Sequence, residues 1–271
     1  MEEDNQENIK NKEPHKTLVF CTRGITQKGR HLMEDLRSLI PNSAKEKKLD
    51  KKMKVSEVSI ISELAGCNAT MFFECRKDQD LYLYLSLKNG PTMKAHLSRV
   101  HTMKELHFTG NCLKGSRPIL SFDSTFESEP KWALIRNLLQ SIFATPKGHK
   151  KSKPFIDHVI SFSIADDRIW FRHYQIGEQK NEDNHNIEPS LIEIGPRFVM
   201  EPIKIFEGDF GGSILYQNGD FVHPSILRQE KKRKLYFSYR AEKQYREKMS
   251  KKKEDDKSLT PVSQIDKVFE N

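Results

Sequence analysis

The sequence predicts an α/β fold made of two similar units, each a mixed sheet with helices, with flexible tails at either end. Two Gly-Pro turns, Gly90-Pro91 and Gly195-Pro196, each precede a run of alternating apolar residues that is typical of a strand. The elements before each turn follow one order, which is strand, helix, basic loop and hairpin. An order repeated over so long a stretch indicates two related units, each covering one face of its sheet with helices.

The first unit spans residues 16–99. Thr26 is a favourable N-cap for a helix over His31–Ile40, in which apolar residues recur at helical spacing, and Pro41 ends that helix. The other predicted elements are strand Thr17–Cys21, a lysine-rich segment over 45–54, a short helix over Val58–Ala65, paired strands Thr70–Cys75 and Leu81–Leu87, and strand Met93–Leu97.

The second unit spans residues 117–222 and follows a connection, Val100–Arg117. Its predicted elements are strand Ile119–Phe122, helix Trp132–Phe143, a lysine-rich loop over 147–153, paired strands Val159–Ile164 and Ile169–Ile176, a polar insert over Gly177–Pro189 and the strand after Gly195-Pro196. In that last strand one buried face is expected to carry Phe198, Met200, Ile203 and Ile205, with the alternation shifted at Pro202.

The 271 residues carry a net charge of +8, and the isoelectric point is about 9.1. This balance favours an acidic partner, nucleic acid first and an anionic membrane surface second, although a basic charge also serves solubility alone. Residues 1–15 are polar and are expected to form a disordered tail rather than a targeting peptide. No apolar run reaches membrane-spanning length, so no membrane partner is expected.

The four cysteines are Cys21, Cys67, Cys75 and Cys112. They form no Cys-x-x-Cys pair, and no histidine lies at zinc-ligand spacing from two of them. The pattern predicts reduced cysteines, several of them buried as small hydrophobes, and neither a disulfide framework nor a metal centre.

Each enzyme motif that the sequence resembles is incomplete. Gly208–Ser213 resembles a serine-protease nucleophile loop, but Phe210 occupies the position of the nucleophile. Asp209-Phe210-Gly211 resembles a kinase magnesium motif, but the Gly-rich loop and the catalytic-loop signature of kinases are missing, as is a phosphate-binding P-loop. These residues are interpreted as a glycine-rich turn before a strand over Ser213–Tyr216. No catalytic residue and no cofactor is predicted.

Basic residues form three groups that are candidates for phosphate contacts. The first surrounds the start of the first helix, where backbone donors already favour an anion, whereas the matching loop of the second unit, Asp123–Glu129, is acidic. For each group the alternative is a solvated lysine-rich loop. The groups are Arg23, Lys28 and Arg30; Lys45, Lys47, Lys48, Lys51 and Lys52; and Lys147, Lys150, Lys151 and Lys153 beside His149.

One predicted strand of the second unit carries aromatic residues beside basic ones. Alternation puts Trp170, Arg172 and Tyr174 on one side and Phe171 and His173 on the other. Exposed aromatics beside arginine can stack on unpaired bases, but packing of at least one side in the core is the stronger expectation. Arg172 is a candidate RNA contact. Arg197, after the Gly-Pro turn, contacts either phosphate or the turn itself, and the sequence leaves both open.

Several segments together resemble the Brix-domain proteins of ribosome assembly, over roughly residues 16–245. They are Leu18–Phe20 with Arg23–Thr26, Arg30–Met33, Asn89–Thr92, Gly110–Pro118, Pro154–Val159, Ile169–Ile176 and Glu193–Phe198. The resemblance implies a Brix domain of two α/β halves similar to anticodon-binding domains. It also implies binding of the pre-rRNA of the large subunit, partners among pre-60S assembly factors and ribosomal proteins, a nucleolar location and no catalysis.

The domain is expected over residues 16–227, followed by a basic extension over 228–271. Between Arg228 and Lys253 lysines and arginines alternate with Tyr236, Phe237, Tyr239 and Tyr245, which is typical of a helix or an extended arm that orders on a partner. Two function classes follow. The first is a non-enzymatic RNA-binding assembly factor, and the second is a protein-interaction scaffold with little direct RNA contact.

Overall fold

The computed structural model describes residues 16–50, 52–145, 155–180 and 187–259. The first half contains five strands and three helices. In chain order these are β1 (Thr17–Cys21), α1 (Gln27–Leu39), β2 (Ser43–Lys45), α2 (Glu57–Leu64), β3 (Ala69–Arg76), β4 (Asp80–Leu87), β5 (Thr92–His101) and α3 (Met103–Leu106).

The second half repeats the main elements. It contains β6 (Arg117–Phe122), a 3-10 turn at Ser124–Glu127, α4 (Pro130–Phe143), β7 (Ile156–Ala165), β8 (Arg168–Lys180), β9 (Ile187–Glu193), β10 (Arg197–Phe206) and β11 (Ile214–Gln217).

All the strands form a single mixed sheet in the order β2-β1-β3-β4-β5-β10-β8-β7-β6, with β9 beside β8 and β11 beside β10. Within the first half β1 is parallel to β3, and β3, β4 and β5 pair antiparallel. Within the second half β6 is parallel to β7, and β7, β8 and β10 pair antiparallel. The two Gly-Pro turns therefore precede matching strands, β5 and β10, and these two strands join the halves.

Helices α1 and α4 cover the same face of this sheet and form the core with it. Leu32 and Leu36 of α1 and Ile135 and Leu139 of α4 are fully buried in one apolar cluster with the strands. Phe143 of α4 lies 5.7 Å from the ring of a β7 phenylalanine and 5.8 Å from one on β8. Thr26 caps α1 as predicted, since its Oγ1 accepts a hydrogen bond from the Gly29 amide at 3.2 Å.

The opposite face is covered in the first half. Helix α2 lies there, and its Ser62 hydroxyl accepts a 2.6 Å hydrogen bond from Thr70 of β3. The turn Gly208–Ser213 also lies there, because the Phe210 ring packs edge-on against Phe72 and beside Tyr84. In the second half the same face of the sheet is partly exposed to solvent.

Strand β10 bends at Pro202 as the sequence indicates. Its pairing with β5 shifts register between Pro202 and Lys204, which is a β-bulge. Phe198 and Met200 before the bulge and Ile205 after it belong to the core cluster. Ile203 is buried too, but it lines a cavity on the other face with Tyr84 and Lys94, so its expected place on the core face is wrong. Regular alternation from Met200 already puts Ile203 on that other face, and the extra residue of the bulge then returns Ile205 to the core face.

Three segments differ from the sequence prediction. A short strand, β2, directly precedes the lysine-rich segment and ends at its first residue, and the strand predicted over Met93–Leu97 extends to His101. The predicted polar insert over Gly177–Pro189 is wrong, because its two ends continue as β8 and β9 and pair with each other. Pairing along an edge requires only backbone groups, so these polar strands lack the apolar alternation by which strands are detected.

The chain divides into two compact units, Met1–Gly219 and Asp220–Asn271. The second unit contains a 36-residue helix, α5 (Pro224–Leu259), where the sequence left a helix or an extended arm open. Pro224 suits the first turn of a helix, and Arg246 pairs with Glu242 one turn away. No helix among the described residues combines the length and the apolar character needed to cross a membrane.

Candidate nucleic-acid interface

The directions of the strands bring five of the predicted cations to one end of the sheet. Strands β1, β5 and β8 run in one direction, and β10 runs in the other. The ends of β1 and β5 therefore lie beside the beginning of β10, and we call this region the basic end. It carries Arg23, Lys28, Arg30, Arg99, Arg172 and Arg197.

Strand β8 presents one side to the core and the other to the outside. Phe171 and His173 are fully buried, which confirms the predicted packing of one side. Trp170, Arg172 and Tyr174 on the other side are only partly buried. An aromatic ring and a guanidinium two residues apart on an accessible strand face are suited to stacking on an unpaired base.

Two arginines lie close to the Trp170 ring. The guanidinium carbon of Arg99 is 5.5 Å from the ring centroid, and that of Arg172 is 5.9 Å from it. Arg99 lies in a β-bulge of β5 and has a positive φ of 49°, a backbone conformation that few side chains other than glycine adopt.

Glu193, the last residue of β9, holds two of the predicted site residues together. Its Oε1 lies 3.1 Å from Nη1 of Arg172 and 3.6 Å from Nε of Arg197. The Arg197 guanidinium also lies 5.1 Å from the Phe108 ring centroid. Arg197 is thus tied to the end of β9 just before the Gly-Pro turn. Glu193 pairs with Arg172 and Arg197, and Arg99 also lies against Trp170, so the cations outnumber this carboxylate and the local charge is positive.

A cavity of about 150 Å³ opens beside these residues and is lined by Arg99, His101, Trp170, Arg172, Arg197, Phe198 and Val199. The Nε1 atom of Trp170 is buried and makes no hydrogen bond to any part of the chain that the structure describes. A buried N–H donor ordinarily has a hydrogen-bond partner. The Trp170 N–H has none within the described residues, so it can donate to an acceptor atom of a ligand.

The start of α1 adjoins this cavity. His101 Nδ1 lies 3.5 Å from Glu105 Oε1, and the same oxygen lies 3.2 Å from Lys28 Nζ. Arg23 pairs with Asp50 at 2.8 Å. All three pairs are exposed, so they contribute little stability and phosphate can replace their carboxylates. Arg30 is exposed and pairs with no carboxylate within the described ranges.

The other predicted lysines divide into three cases. Lys45 forms an ion pair with Glu34 at 2.7 Å, which holds the pKa of that carboxyl below its ordinary value. Lys47, Lys48 and Lys52 lie exposed on the surface. The remaining ones, Lys51, Lys147, Lys150, Lys151 and Lys153, lie outside the described residues.

Sequence reasoning missed Arg99, His101 and Glu193. Arg99 and His101 lie just after the strand predicted over Met93–Leu97, and Glu193 enters the sequence prediction only as part of the segment Glu193–Phe198. Their importance arises from pairing between β5, β10 and β9, which no local pattern encodes. A signal was present in the position of Glu193, directly before the Gly-Pro turn and four residues before Arg197.

The glycine-rich segment Gly208–Ser213 is a turn, as the sequence predicts. Its Phe210 is buried, and the Phe210 amide donates to Thr92 Oγ1 at 2.8 Å. Asp209 accepts a hydrogen bond from Ser86, and burial raises the pKa of its carboxyl. These contacts fix the turn on the sheet.

The chain matches the family model of the Brix domain over residues 22–204. It is 46% identical to the ribosome biogenesis protein BRX1 homolog of Xenopus laevis, over 96% of this chain and 74% of that protein. It is 52% identical to ribosome biogenesis protein BRX1 of Saccharomyces cerevisiae, over 79% of this chain and 76% of that protein.

Among solved structures, a probable ribosomal biogenesis protein from Aeropyrum pernix K1 aligns with a TM-score of 0.41 and 12% identity, over 69% of this chain and 96% of that chain. A likeness this distant adds nothing to the strand order. The match to the domain model and the identity over most of the chain are decisive. The chain therefore belongs to the Brix domain family.

Proposed function

We propose that this chain is a non-enzymatic assembly factor that binds pre-rRNA and protein partners in the nucleolus during biogenesis of the large ribosomal subunit. Its relatives in Xenopus laevis and Saccharomyces cerevisiae are named ribosome biogenesis proteins, which supports a role in ribosome assembly. The resemblance to the Brix family supports the large subunit and the nucleolus.

The observation that carries RNA binding is the basic end of the sheet, where Trp170 lies among Arg99, Arg172 and Arg197. Guanidinium groups form bidentate hydrogen bonds with phosphate, and each such contact releases counterions. The Trp170 ring supplies a face on which an unpaired base can stack, at about 1–3 kcal/mol per base. This combination fits a single-stranded or looped RNA segment.

Glu193 competes with phosphate for Arg172 and Arg197 in the free protein. Binding of RNA then consists of an exchange, in which phosphate oxygens replace the shared carboxylate as partner of at least one guanidinium. Replacement of Glu193 by Gln removes the competitor, so we expect it to strengthen binding, in the direction opposite to that of an arginine replacement.

The test is a salt series of filter-binding titrations with fragments of large-subunit precursor rRNA. We expect the double variant Arg99→Gln, Arg172→Gln to weaken binding and to flatten the slope of log affinity against log salt by about 0.7–0.9 per lost contact. The matched control is Arg37→Gln, because Arg37 lies in the last turn of α1, away from the basic end, and pairs with Glu34 at 2.6 Å. Equal losses in the double variant and the control would contradict the assignment.

A scaffold with little direct RNA contact is the second candidate, and helix α5 favours it. Leu235, Tyr236, Tyr239 and Tyr245 on this helix are 59–72% exposed, which is typical of side chains that dock on a protein partner. If the wild-type chain bound none of the rRNA fragments at low salt, this candidate would replace RNA binding.

A further inference from the structure

Three side chains with metal-binding atoms meet beneath the connection between the halves. Cys112 comes from that connection, His158 from β7 and His173 from β8. One ligand atom from each lies within 4.8 Å of the others. The residues are distant in sequence, so their spacing predicts no metal site here.

Each histidine has one ring nitrogen already engaged. His158 Nδ1 lies 2.6 Å from a carboxylate oxygen of Asp157 and 3.1 Å from Ser116 Oγ. His173 Nδ1 lies 2.6 Å from the backbone oxygen of Gly195. The Asp157 carboxylate and the Gly195 carbonyl each accept a hydrogen bond from the N–H at Nδ1, which leaves Nε2 of each ring with a free lone pair. A carboxylate and a backbone carbonyl are the usual partners that orient metal-binding histidines.

The Nε2 atom of His173 is buried in a residue with 0% exposure and has no hydrogen-bond partner among the described residues. A buried polar atom without a partner is costly, and it calls for an occupant that the chain does not supply.

The segment that carries Cys112 is held in place over the two histidines. The Leu113 amide donates to Asp157 Oδ2 at 2.6 Å, and the Asn111 amide donates to Gln175 Oε1 at 2.7 Å. A Cβ on Gly110 would lie 2.8 Å from the backbone oxygen of Glu193, so only glycine allows this approach.

We propose that Cys112 Sγ and the Nε2 atoms of His158 and His173 bind one zinc ion, with the fourth position open to water. A thiolate with two imidazoles suits zinc and excludes magnesium and calcium, which take oxygen ligands. Tetrahedral zinc bonds place ligand atoms about 3.3–3.8 Å apart, so side-chain rotation, above all of the partly exposed Cys112, closes the site. Binding releases the Cys112 thiol proton to solvent.

Such an ion would link the connection between the halves to the β7–β8 hairpin and, through His173 and Gly195, to the second Gly-Pro turn. Its role is structural, since it ties together the segments that place Glu193 and Arg197 at the basic end. The site is independent of RNA binding and can be present whether or not the proposed function holds.

The first experiment titrates the reduced, metal-free full-length chain with Co²⁺. We expect one equivalent to produce a thiolate-to-cobalt charge-transfer band that Zn²⁺ abolishes. Cys112→Ser should lose the band, and Cys67→Ser, which alters a fully buried cysteine elsewhere, should keep it. Circular dichroism checks that both variants are folded.

X-ray absorption of the wild-type zinc form needs no variant. We expect one sulfur and two imidazole nitrogens around the ion, and an increase of the unfolding midpoint with Zn²⁺ that Cys112→Ser lacks. The proposal is overturned if the wild type gives no charge-transfer band, if Cys112→Ser keeps it, or if the ion is surrounded by oxygen alone.

Discussion

The two halves of the sheet share a backbone plan and a core but use the opposite face differently. Counted from the Gly-Pro turns, Met93 of β5 corresponds to Phe198 of β10, and both are buried in the core cluster. Their partners across the strand pair, Leu85 and Phe171, are buried there as well. The side that faces the helices is therefore conserved in character between the halves.

The adjacent pair of residues, which lies on the opposite face of the sheet, differs between the halves. In the first half Ser86 and Thr92 lie opposite each other and hydrogen-bond at 2.7 Å. Thr92 also donates to the backbone oxygen of Gly208 at 2.8 Å, so the Gly208–Ser213 turn is fixed over this face. In the second half Arg172 and Arg197 occupy these positions and share Glu193 instead. Two small hydroxyl side chains allow a covering turn, whereas two arginines leave an accessible, charged surface.

The comparison of the halves also explains why the loop before α1 lies at the basic end and the loop before α4 does not. Because β5 and β10 pair antiparallel, α1 begins at the basic end and α4 begins at the other end of the sheet. The acidic loop before α4 is thus remote from the basic end, and Glu127 and Glu129 are paired locally with Arg136 and Lys131. A repeat with this symmetry places cations at one end without a compensating acidic loop.

The largest expected effects concern the shared core. Phe171→Ala should lower the free energy of unfolding by about 3–5 kcal/mol, and Leu85→Ala by about 2–5 kcal/mol. Both side chains are fully buried, and the Phe171 ring stacks on Phe198 at 4.5 Å. Denaturant unfolding monitored by circular dichroism measures both. A loss below about 1 kcal/mol in only one half would show that the two cores are not equivalent.

The second prediction compares the covered face with the open one. Phe210→Ala should cost about 3 kcal/mol of stability, because the buried ring packs on Phe72 and Tyr84, and it should leave RNA affinity unchanged. Trp170→Ala should cost only about 1 kcal/mol of stability and should weaken RNA binding by about 1–3 kcal/mol. Denaturant unfolding and filter binding on the same preparations measure these effects. The comparison would be contradicted if Phe210→Ala weakened RNA binding and Trp170→Ala caused the larger loss of stability.

A third prediction concerns Lys94, which occupies the position of Val199 on the covered face. Its ammonium lies 5.2 Å and 5.0 Å from the ring centroids of Tyr82 and Tyr84, and burial lowers its pKa to about 8 from 10.5. The unfolded chain binds this proton more tightly, so the contribution of Lys94 to stability rises with pH between about 8 and 10.5.

Relative to Lys94→Met, the wild type should therefore gain about 2 kcal/mol between about pH 7.5 and pH 10.5, a figure reduced for the partial exposure of the side chain. Urea unfolding at several pH values measures this difference. The control Lys88→Met alters an exposed lysine and should show no such trend. A pH-independent difference for Lys94→Met would contradict the prediction.

The smallest effect on stability is expected at the start of α1. The triple variant Arg23→Ala, Lys28→Ala, Arg30→Ala removes exposed cations, so stability should change by less than about 1 kcal/mol. Its affinity for rRNA fragments should fall about equally for all sequences, with a flatter salt slope. Replacing Glu127 and Glu129 by Gln at the other end should not weaken binding. An unchanged affinity and slope in the triple variant would favour the scaffold.

The sequence by itself determined the two related units, their α/β class and the family. The Gly-Pro turns, the caps and the apolar periodicity are local signals, and the structure places both turns before matching strands. It also separated the two sides of β8, since alternation within a strand follows from backbone geometry, but the tertiary structure decided which side enters the core. The polar strand β9 escaped detection because its pairing with β8 uses backbone groups that carry no residue pattern.

Only the tertiary structure decided which residues act together. Arg99 meets Trp170, and Glu193 joins Arg172 to Arg197, because β5, β10 and β9 pair in a particular register. Cys112, His158 and His173 converge because a connection folds over two strands that the sequence places far from it. Contacts between distant segments depend on register and strand direction, and no local pattern of residues reveals either.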